Sequence, residues 1–287
     1  MNEIVFLNGS YIKKEEAAIS PDDRGFLFAD GVYEVVRVYN GNLFQIEDHV
    51  ERLAASLEGL KIGGIDPNSL VNISGRLVFE NRLQGKDALI YIQITRGVAP
   101  RTHAFPSTPV SPTIYAKVWP QDPPREQIKK GIKTILVPDA RWDRCNIKTV
   151  FLLPNVLARQ KAEEVGAGEA LFVRDGMITE GSASNFAAVF GGTLVTHPDG
   201  GHILSGITKK AVIAHCRETG MDVEERPVMK GELTYAEEAM VMSTTREIMP
   251  VTSIDGESIG TGAPGPVTRR IQKAFSDLIQ KECGQSI

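Results

Sequence analysis

Four polar or glycine-bearing segments interrupt an otherwise apolar rhythm, and they hold residue types that can do chemistry. They are Arg141-Trp142-Asp143-Arg144-Cys145-Asn146-Ile147-Lys148, Thr179-Glu180-Gly181-Ser182-Ala183-Ser184-Asn185, Ser205-Gly206-Ile207-Thr208 and Ser243-Thr244-Thr245-Arg246-Glu247. Ile207 and Thr208 fall where a helix begins after Gly206, so their backbone N–H groups can point at an anion. Ser and Thr at helix starts more often serve as caps. Lys148 stands between an Asn-Ile loop and the apolar run Val150-Phe151-Leu152-Leu153, which favours burial, although solvation is the commoner fate of a lysine. Glu180 precedes an unusually polar exit into Phe186-Ala187-Ala188-Val189-Phe190; a loop carboxylate before a turn is the plain alternative.

Other chemistries lose their support. The chain has no GxxxxGK[ST] phosphate loop, no GxGxxG after a strand, no HExxH and no GxSxG. Its five histidines show no metal-ligand spacing, so no metal is expected. The 287 residues carry 32 Lys and Arg against 36 Asp and Glu, a net charge of −4 and no cationic block, which argues against nucleic acid. Cys145, Cys216 and Cys283 are too few and too scattered for a disulfide framework and fit a reducing cytoplasm. The N-terminus lacks the features of a signal peptide, and no apolar run approaches the roughly 20 residues a bilayer needs.

These segments need a scaffold. Ile4 to Leu7 leads into Asn8-Gly9, and Val32 to Tyr39 ends at Asn40-Gly41 before Leu43-Phe44-Gln45-Ile46; run, Asn-Gly, run is a hairpin signal. Val50, Leu53, Leu57 and Leu60 make one apolar stripe of a helix over 47–60. A second helix is expected over about 67–81, and strands over 88–95 and 113–119. Residues 120–127 contain three prolines and read as a linker. Beyond it, strands at 132–137, 169–173 and 185–190 alternate with helices at about 151–165 and 207–219, and a last helix spans about 265–281. The expectation is a small N-terminal α+β domain (1–119), a linker (120–127) and a larger C-terminal α/β domain (128–287).

Taken together, the motifs resemble those of the fold-type-IV aminotransferases that use pyridoxal 5'-phosphate, and within them the D-amino acid aminotransferases. The resemblance runs from about residue 3 to 280. It rests on Asp22-Asp23-Arg24-Gly25, Asp30-Gly31-Val32-Tyr33-Glu34-Val35, Ile147-Lys148, Thr179 to Asn185, Gly206-Ile207-Thr208 and Ser243-Thr244-Thr245, in that order and spacing. It implies a larger C-terminal domain of pseudo-barrel type, a homodimer, and a cofactor at the junction of the two domains.

The resemblance also implies roles. Lys148 matches the lysine that forms the Schiff base and then shuttles the proton, a task that needs a deprotonated amine. Glu180 matches the carboxylate facing the pyridine nitrogen, which keeps that nitrogen protonated and the ring an electron sink. Arg52, Ile207, Thr208, Ser243 and Thr244 match the phosphate-holding residues; by itself, Arg52 is equally well a surface charge. Tyr33, Arg101 and His103 match a carboxylate trap, the Arg-x-His pair coming from the neighbouring subunit. Glu34-Val35-Val36 after Tyr33 points away from the branched-chain relatives. Arg246 is a second cation that could alter how a dicarboxylate is accommodated. Arg24, Asp30 and Arg141 read as scaffold, and Cys145 as packing.

The implied reaction is a ping-pong transamination from D-alanine or D-glutamate to 2-oxoglutarate or pyruvate. The alternatives on the same fold are a branched-chain L-amino acid aminotransferase, an (R)-amine transaminase and an aminodeoxychorismate lyase. A non-catalytic binding protein would leave Lys148 and Glu180 unexplained.

Overall fold

The structure is a computed structural model and describes residues 3–284. The chain divides into two compact units. The first takes in residues 3–122, the short segment Ile147–Phe151 and residues 281–284; the second holds Pro123–Asn146 and Leu152–Gln280.

The first unit is built on a sheet of six strands, β1 (Ile4–Leu7), β2 (Ser10–Lys13), β3 (Gly31–Tyr39), β4 (Asn42–Leu43), β5 (Ala88–Thr95) and β6 (Thr113–Pro120), ordered β2-β1-β6-β5-β3-β4. Asn8-Gly9 and Asn40-Gly41 adopt the positive φ values of tight hairpin turns. Helix α1 (Arg24–Phe28) precedes β3, while α2 (Ile46–Leu60) and α3 (Ser69–Glu80) supply apolar stripes. Ile46, Val50, Leu53 and Leu57 of α2 are buried, as are Leu70, Ile73, Leu77 and Val78 of α3. Spacings of three and four residues put each set on one helix face.

The second unit opens with α4 (Arg125–Lys130), followed by β7 (Ile132–Pro138), α5 (Leu153–Glu164), β8 (Glu169–Arg174), β9 (Met177–Gly181), β10 (Asn185–Phe190), β11 (Thr193–Thr196), α6 (Ile207–Glu218), β12 (Val223–Glu225), β13 (Val228–Met229), β14 (Glu238–Ser243), β15 (Glu247–Ile254), β16 (Glu257–Ser258) and α7 (Pro266–Cys283). Its sheet runs β12-β11-β10-β14-β15-β7-β8-β9-β13, and β10 pairs additionally with β9. The path β10-β14-β15-β7-β8-β9 therefore returns to its start, a ring of the pseudo-barrel kind. Strand alternation divides β8: Ala170 and Phe172 pack with Ala158 and Ala162 of α5, while Leu171 faces a cluster with Ile178, Phe186, Val241 and Met249. Each large apolar side chain so buried stabilises the unit by ~1.5–3 kcal/mol.

Three expectations are corrected. The segment 120–127 is not all linker: Pro120 ends β6 and α4 starts at Arg125, because the prolines before it lack only N–H groups that a helix start leaves unpaired. Strand character near Leu43 stops at once, and α2 begins at Ile46. Lys148, expected in the C-terminal domain, folds with the first unit, where main-chain pairing to β3 captures its segment.

Candidate active site

In the first unit the chain around Lys148 runs antiparallel beside the start of β3. Tyr33 N donates to Lys148 O at 3.0 Å, Val150 N donates to Gly31 O at 3.1 Å, and Val32 bridges Thr149. Lys148 N donates to Ser56 Oγ on α2 at 3.1 Å. Pinned on both sides, Lys148 extends its Nζ to 4.3 Å from the Tyr33 ring centroid. Among the described residues no carboxylate pairs with this amine. A lysine whose main chain is fixed and whose amine lies against an aromatic face is presented to a ligand rather than tied down.

Glu34, the next residue on β3, points to the opposite face and is buried. Arg52 donates to it through two nitrogens, Nε to Oε1 at 2.7 Å and Nη2 to Oε2 at 2.8 Å, and His49 Nδ1 lies 2.8 Å from Oε2. Burial alone would push the Glu34 carboxyl up; the Arg52 guanidinium and the His49 hydrogen bond override it and hold it well below the carboxylate range. Burial holds His49 below its ordinary value despite Glu34, so it donates as a neutral ring. Arg52, expected to hold phosphate, is thus a guanidinium of fixed orientation. Sequence reasoning missed the Glu34–His49–Arg52 triad, although a carboxylate inside the run Val32-Tyr33-Glu34-Val35-Val36 was its signal.

Arg101 and His103 are exposed. Arg101 Cζ lies 5.3 Å from the Phe28 ring centroid, and the His103 ring 5.6 Å from it. The residue between them is anchored, since Arg24 Nη1 donates to Thr102 O at 2.7 Å. Neither side chain forms a hydrogen bond or ion pair among the described residues, and this chain brings neither into contact with its own Tyr33.

The second unit carries the remaining expected residues. Glu180 lies on β9, not in a loop, and is buried. Its Oε1 accepts from Arg141 Nη1, and its Oε2 accepts from Asn185 Nδ2 and from Leu204 N, both at 3.1 Å. Arg141 is itself fixed by Asp139, with two contacts of 2.9 Å, and lies over Phe172. An arginine braced by a second carboxylate gives Glu180 a charged, fixed partner inside a low-dielectric surrounding. Arg141 therefore touches Glu180 directly and is more than scaffold. Cys145 is packing: burial raises its thiol to about 11.

Helix α6 begins at Ile207 after Gly206, and Ile207 and Thr208 are buried in its first turn. A Cβ on Gly206 would come 1.7 Å from Asn185 Oδ1, so glycine lets this helix start close on the side chain that holds Glu180. Lys209, next in the turn, is buried and donates to His197 O at 2.8 Å and Asp199 Oδ1 at 2.6 Å, fixing the loop before the helix. Ser243 ends β14; its Oγ lies 3.4 Å from Thr245 Oγ1, and Thr244 follows at the strand exit. The second unit thus offers a buried carboxylate paired with an arginine, a helix start and a hydroxyl-bearing loop. A protonated ring nitrogen and a phosphate are the groups such donors and acceptors fit.

Residues 31–254 match the family described as Amino-transferase class IV. The chain belongs to the class IV aminotransferases. This aminotransferase is similar to the D-alanine aminotransferase of Bacillus licheniformis, 41% identical over 284 residues and 99% of each chain. It is similar also to that of Staphylococcus epidermidis, 40% identical over 280 residues, 96% of this chain and 98% of the relative. Among solved structures it resembles the branched-chain amino acid aminotransferase of Escherichia coli, with TM-score 0.90, 26% identity and coverage of 98% and 96% of the two chains. A hypothetical aminotransferase from Mycobacterium tuberculosis in a PLP-bound form shares the fold at TM-score 0.84 and 21% identity, covering 97% of this chain and 99% of that one.

Proposed function

We propose that this class IV aminotransferase exchanges the amino group of D-amino acids, of the D-alanine and D-glutamate type, with 2-oxo acids such as 2-oxoglutarate or pyruvate, using pyridoxal 5'-phosphate. The observation that carries the proposal is Lys148, held by main-chain bonds to β3 and Ser56 with its amine at 4.3 Å from Tyr33. Full-length similarity near 40% to D-alanine aminotransferases favours the D series.

When bound, pyridoxal phosphate supplies an aldehyde to receive the amino group and a ring that accepts the electron pair left at the substrate carbon. Lys148 would hold the cofactor through Nζ and, once released, move the proton from substrate Cα. Glu180, paired with Arg141, would hold the proton on the ring nitrogen. The amides of Ile207 and Thr208, the hydroxyls of Ser243 and Thr244, and Arg52 would hold the phosphate. Tyr33 would bound the substrate carboxylate.

The enzyme acts as a homodimer in which Arg101 and His103 serve the neighbouring subunit's site. Their exposure and lack of polar partners among the described residues support that reading, as do the exposed apolar Leu153, Val156 and Leu157 on one face of α5. Three separate buried thiols suit a cytoplasmic location, and no helix among the described residues is long and apolar enough to cross a membrane.

The test is to load the protein with pyridoxal phosphate and add D- or L-alanine. Bleaching of the visible absorption by D-alanine, with pyruvate released, supports the proposal. A response confined to branched-chain L-amino acids, or to amines lacking a carboxylate, replaces it with the corresponding alternative.

A further inference from the structure

Glu169, the first residue of β8, is fully buried, and the reaction described above makes no use of it. Its Oε1 accepts from Ser182 Oγ and from Ala170 N at 2.9 Å, and its Oε2 accepts from Ser184 Oγ at 3.0 Å. Both serines lie in the turn joining β9 to β10, the turn flanked by Glu180 and Asn185. Further bonds lock that turn: Gly181 N donates to Ser184 O at 2.6 Å, Ser182 N to Ala170 O at 2.9 Å, and Asn155 Nδ2 to Ser182 O at 2.8 Å. There is no slack, since a Cβ on Gly181 would lie 2.3 Å from Ser184 Oγ and 3.2 Å from Glu169.

The cation facing Glu169 comes from the other half of the cradle. Arg246 Nη1 lies 3.6 Å from Glu169 Oε2 and donates to Gly168 O at 2.8 Å. Its own main chain closes the hydroxyl loop, with Arg246 N reaching Ser243 O and Ser243 Oγ at 3.3 Å each. Arg159 also donates to Gly168 O, so β8's entry is gripped by two arginines. The Arg246 side chain is 21% exposed and directed at these internal partners, which leaves it poorly disposed to meet a substrate's second carboxylate.

We propose that Arg246 and Glu169 are a positioning pair: they lock the Ser243–Thr245 loop to the Ser182–Ser184 turn, and so set how tightly the cofactor is held rather than which side chain the substrate carries. This rests on the function proposed above. The reason is mechanical and electrostatic. The loop and the turn approach a ligand from different strands, and a charge pair in a buried setting fixes their spacing more firmly than either strand end does alone.

The experiment titrates cofactor-free protein with pyridoxal phosphate, followed by absorbance, and measures kcat/KM for D-glutamate and D-alanine at saturating cofactor. Wild type is compared with Glu169→Gln, Arg246→Gln, Arg246→Lys and the Glu169→Gln/Arg246→Gln double variant. Each single charge removal is expected to weaken cofactor binding about tenfold or more, and the double variant to be no worse than the weaker single, because the two groups act as one unit. Arg246→Lys recovers most of the affinity. The D-glutamate to D-alanine ratio stays within about twofold of wild type. Unchanged cofactor affinity in both single variants overturns the inference, as does an Arg246→Gln variant whose affinity holds while its D-glutamate preference falls. If Arg246→Gln does not fold, Glu169→Gln, which keeps the side chain's shape and one of its two acceptor oxygens while removing the charge, decides. Wild type that takes up no pyridoxal phosphate refutes the proposed function; wild type that binds it beside variants that match it refutes this inference alone.

Discussion

Asn185 and Glu180 face each other where β10 pairs with β9, and Asn185 Nδ2 donates to Glu180 Oε2 at 3.1 Å. One pair of residues thereby closes the ring of strands and aims the carboxylate. The same amide donates to Leu204 O at 2.8 Å, in the chain leading to α6, and Gly206 packs directly against it. The carboxylate and the helix start are set by a single side chain.

Asn185→Ala is expected to cost about 1.5–3 kcal/mol in cofactor retention, the scale of a buried hydrogen bond to a charged group. Gly206→Ala should do comparable harm by pushing Asn185 aside. Equilibrium titration with pyridoxal phosphate checks both. Affinity equal to wild type in either variant contradicts the linkage, whereas Gly201→Ala or Gly200→Ala offers no such test of Asn185.

The Glu34–His49–Arg52 triad predicts a pH dependence. His49 lies below its ordinary value of 6.5 in the folded chain, so the unfolded chain takes up its proton first and stability falls as pH drops through 6.5. Glu34 adds a loss that begins as pH falls below its ordinary value of 4.5, where the unfolded carboxyl takes up its proton, and is complete only in deep acid, where the folded one does. Arg52 and Lys148 both disfavour charge on His49. Melting temperatures from pH 8 to 5 should decline, and His49→Gln should flatten the decline. Glu34→Ala, which removes the carboxylate paired with a buried guanidinium, should cost ~3–5 kcal/mol at neutral pH.

Much of this was legible in the sequence, and the exceptions have physical causes. The α2 stripe and the Asn-Gly turns follow from local periodicity and backbone preference, so Leu53 and Gly41 are readable one segment at a time. The residues gathered around Glu180 were legible because several motifs occur in one order. Lys148 folding with the first unit was not, because residues 147–151 leave no compositional mark and are held by main-chain bonds to distant β3. The ring closure at Asn185 was hidden for the same reason: strand pairing is a non-local choice. Glu34 and Glu169 were passed over because a buried carboxylate is recognisable only once its arginine is found.

Lys148→Ala should lower transamination by about 10⁴-fold or more, since it removes the group proposed to move the proton. Ser56→Ala, which deletes the hydroxyl receiving Lys148 N, should cost far less, about 0.5–1.5 kcal/mol of stability. Initial rates with D-alanine and a thermal melt separate the two. A Lys148→Ala variant that turns over at near wild-type rate without added amine removes Lys148 from the mechanism.

Arg101 permits the most direct test of the proposed sharing of a site between subunits. Being exposed and without a hydrogen bond or ion pair among the described residues, it should be dispensable for folding, so Arg101→Ala should melt like wild type while its KM for D-alanine rises by about tenfold or more. Lys148→Ala should be inactive for a different reason. Unfolding and refolding the two variants together should yield hybrid dimers. In one site of each hybrid, Lys148 comes from the Arg101→Ala chain and Arg101 from the Lys148→Ala chain. That site is intact, so about a quarter of wild-type activity at low D-alanine should return from an equal mixture in which half the dimers are hybrids. If Arg101 instead served its own chain, every hybrid site would lack one group and mixing would restore nothing. Activity on mixing thus reports which subunit supplies the carboxylate trap.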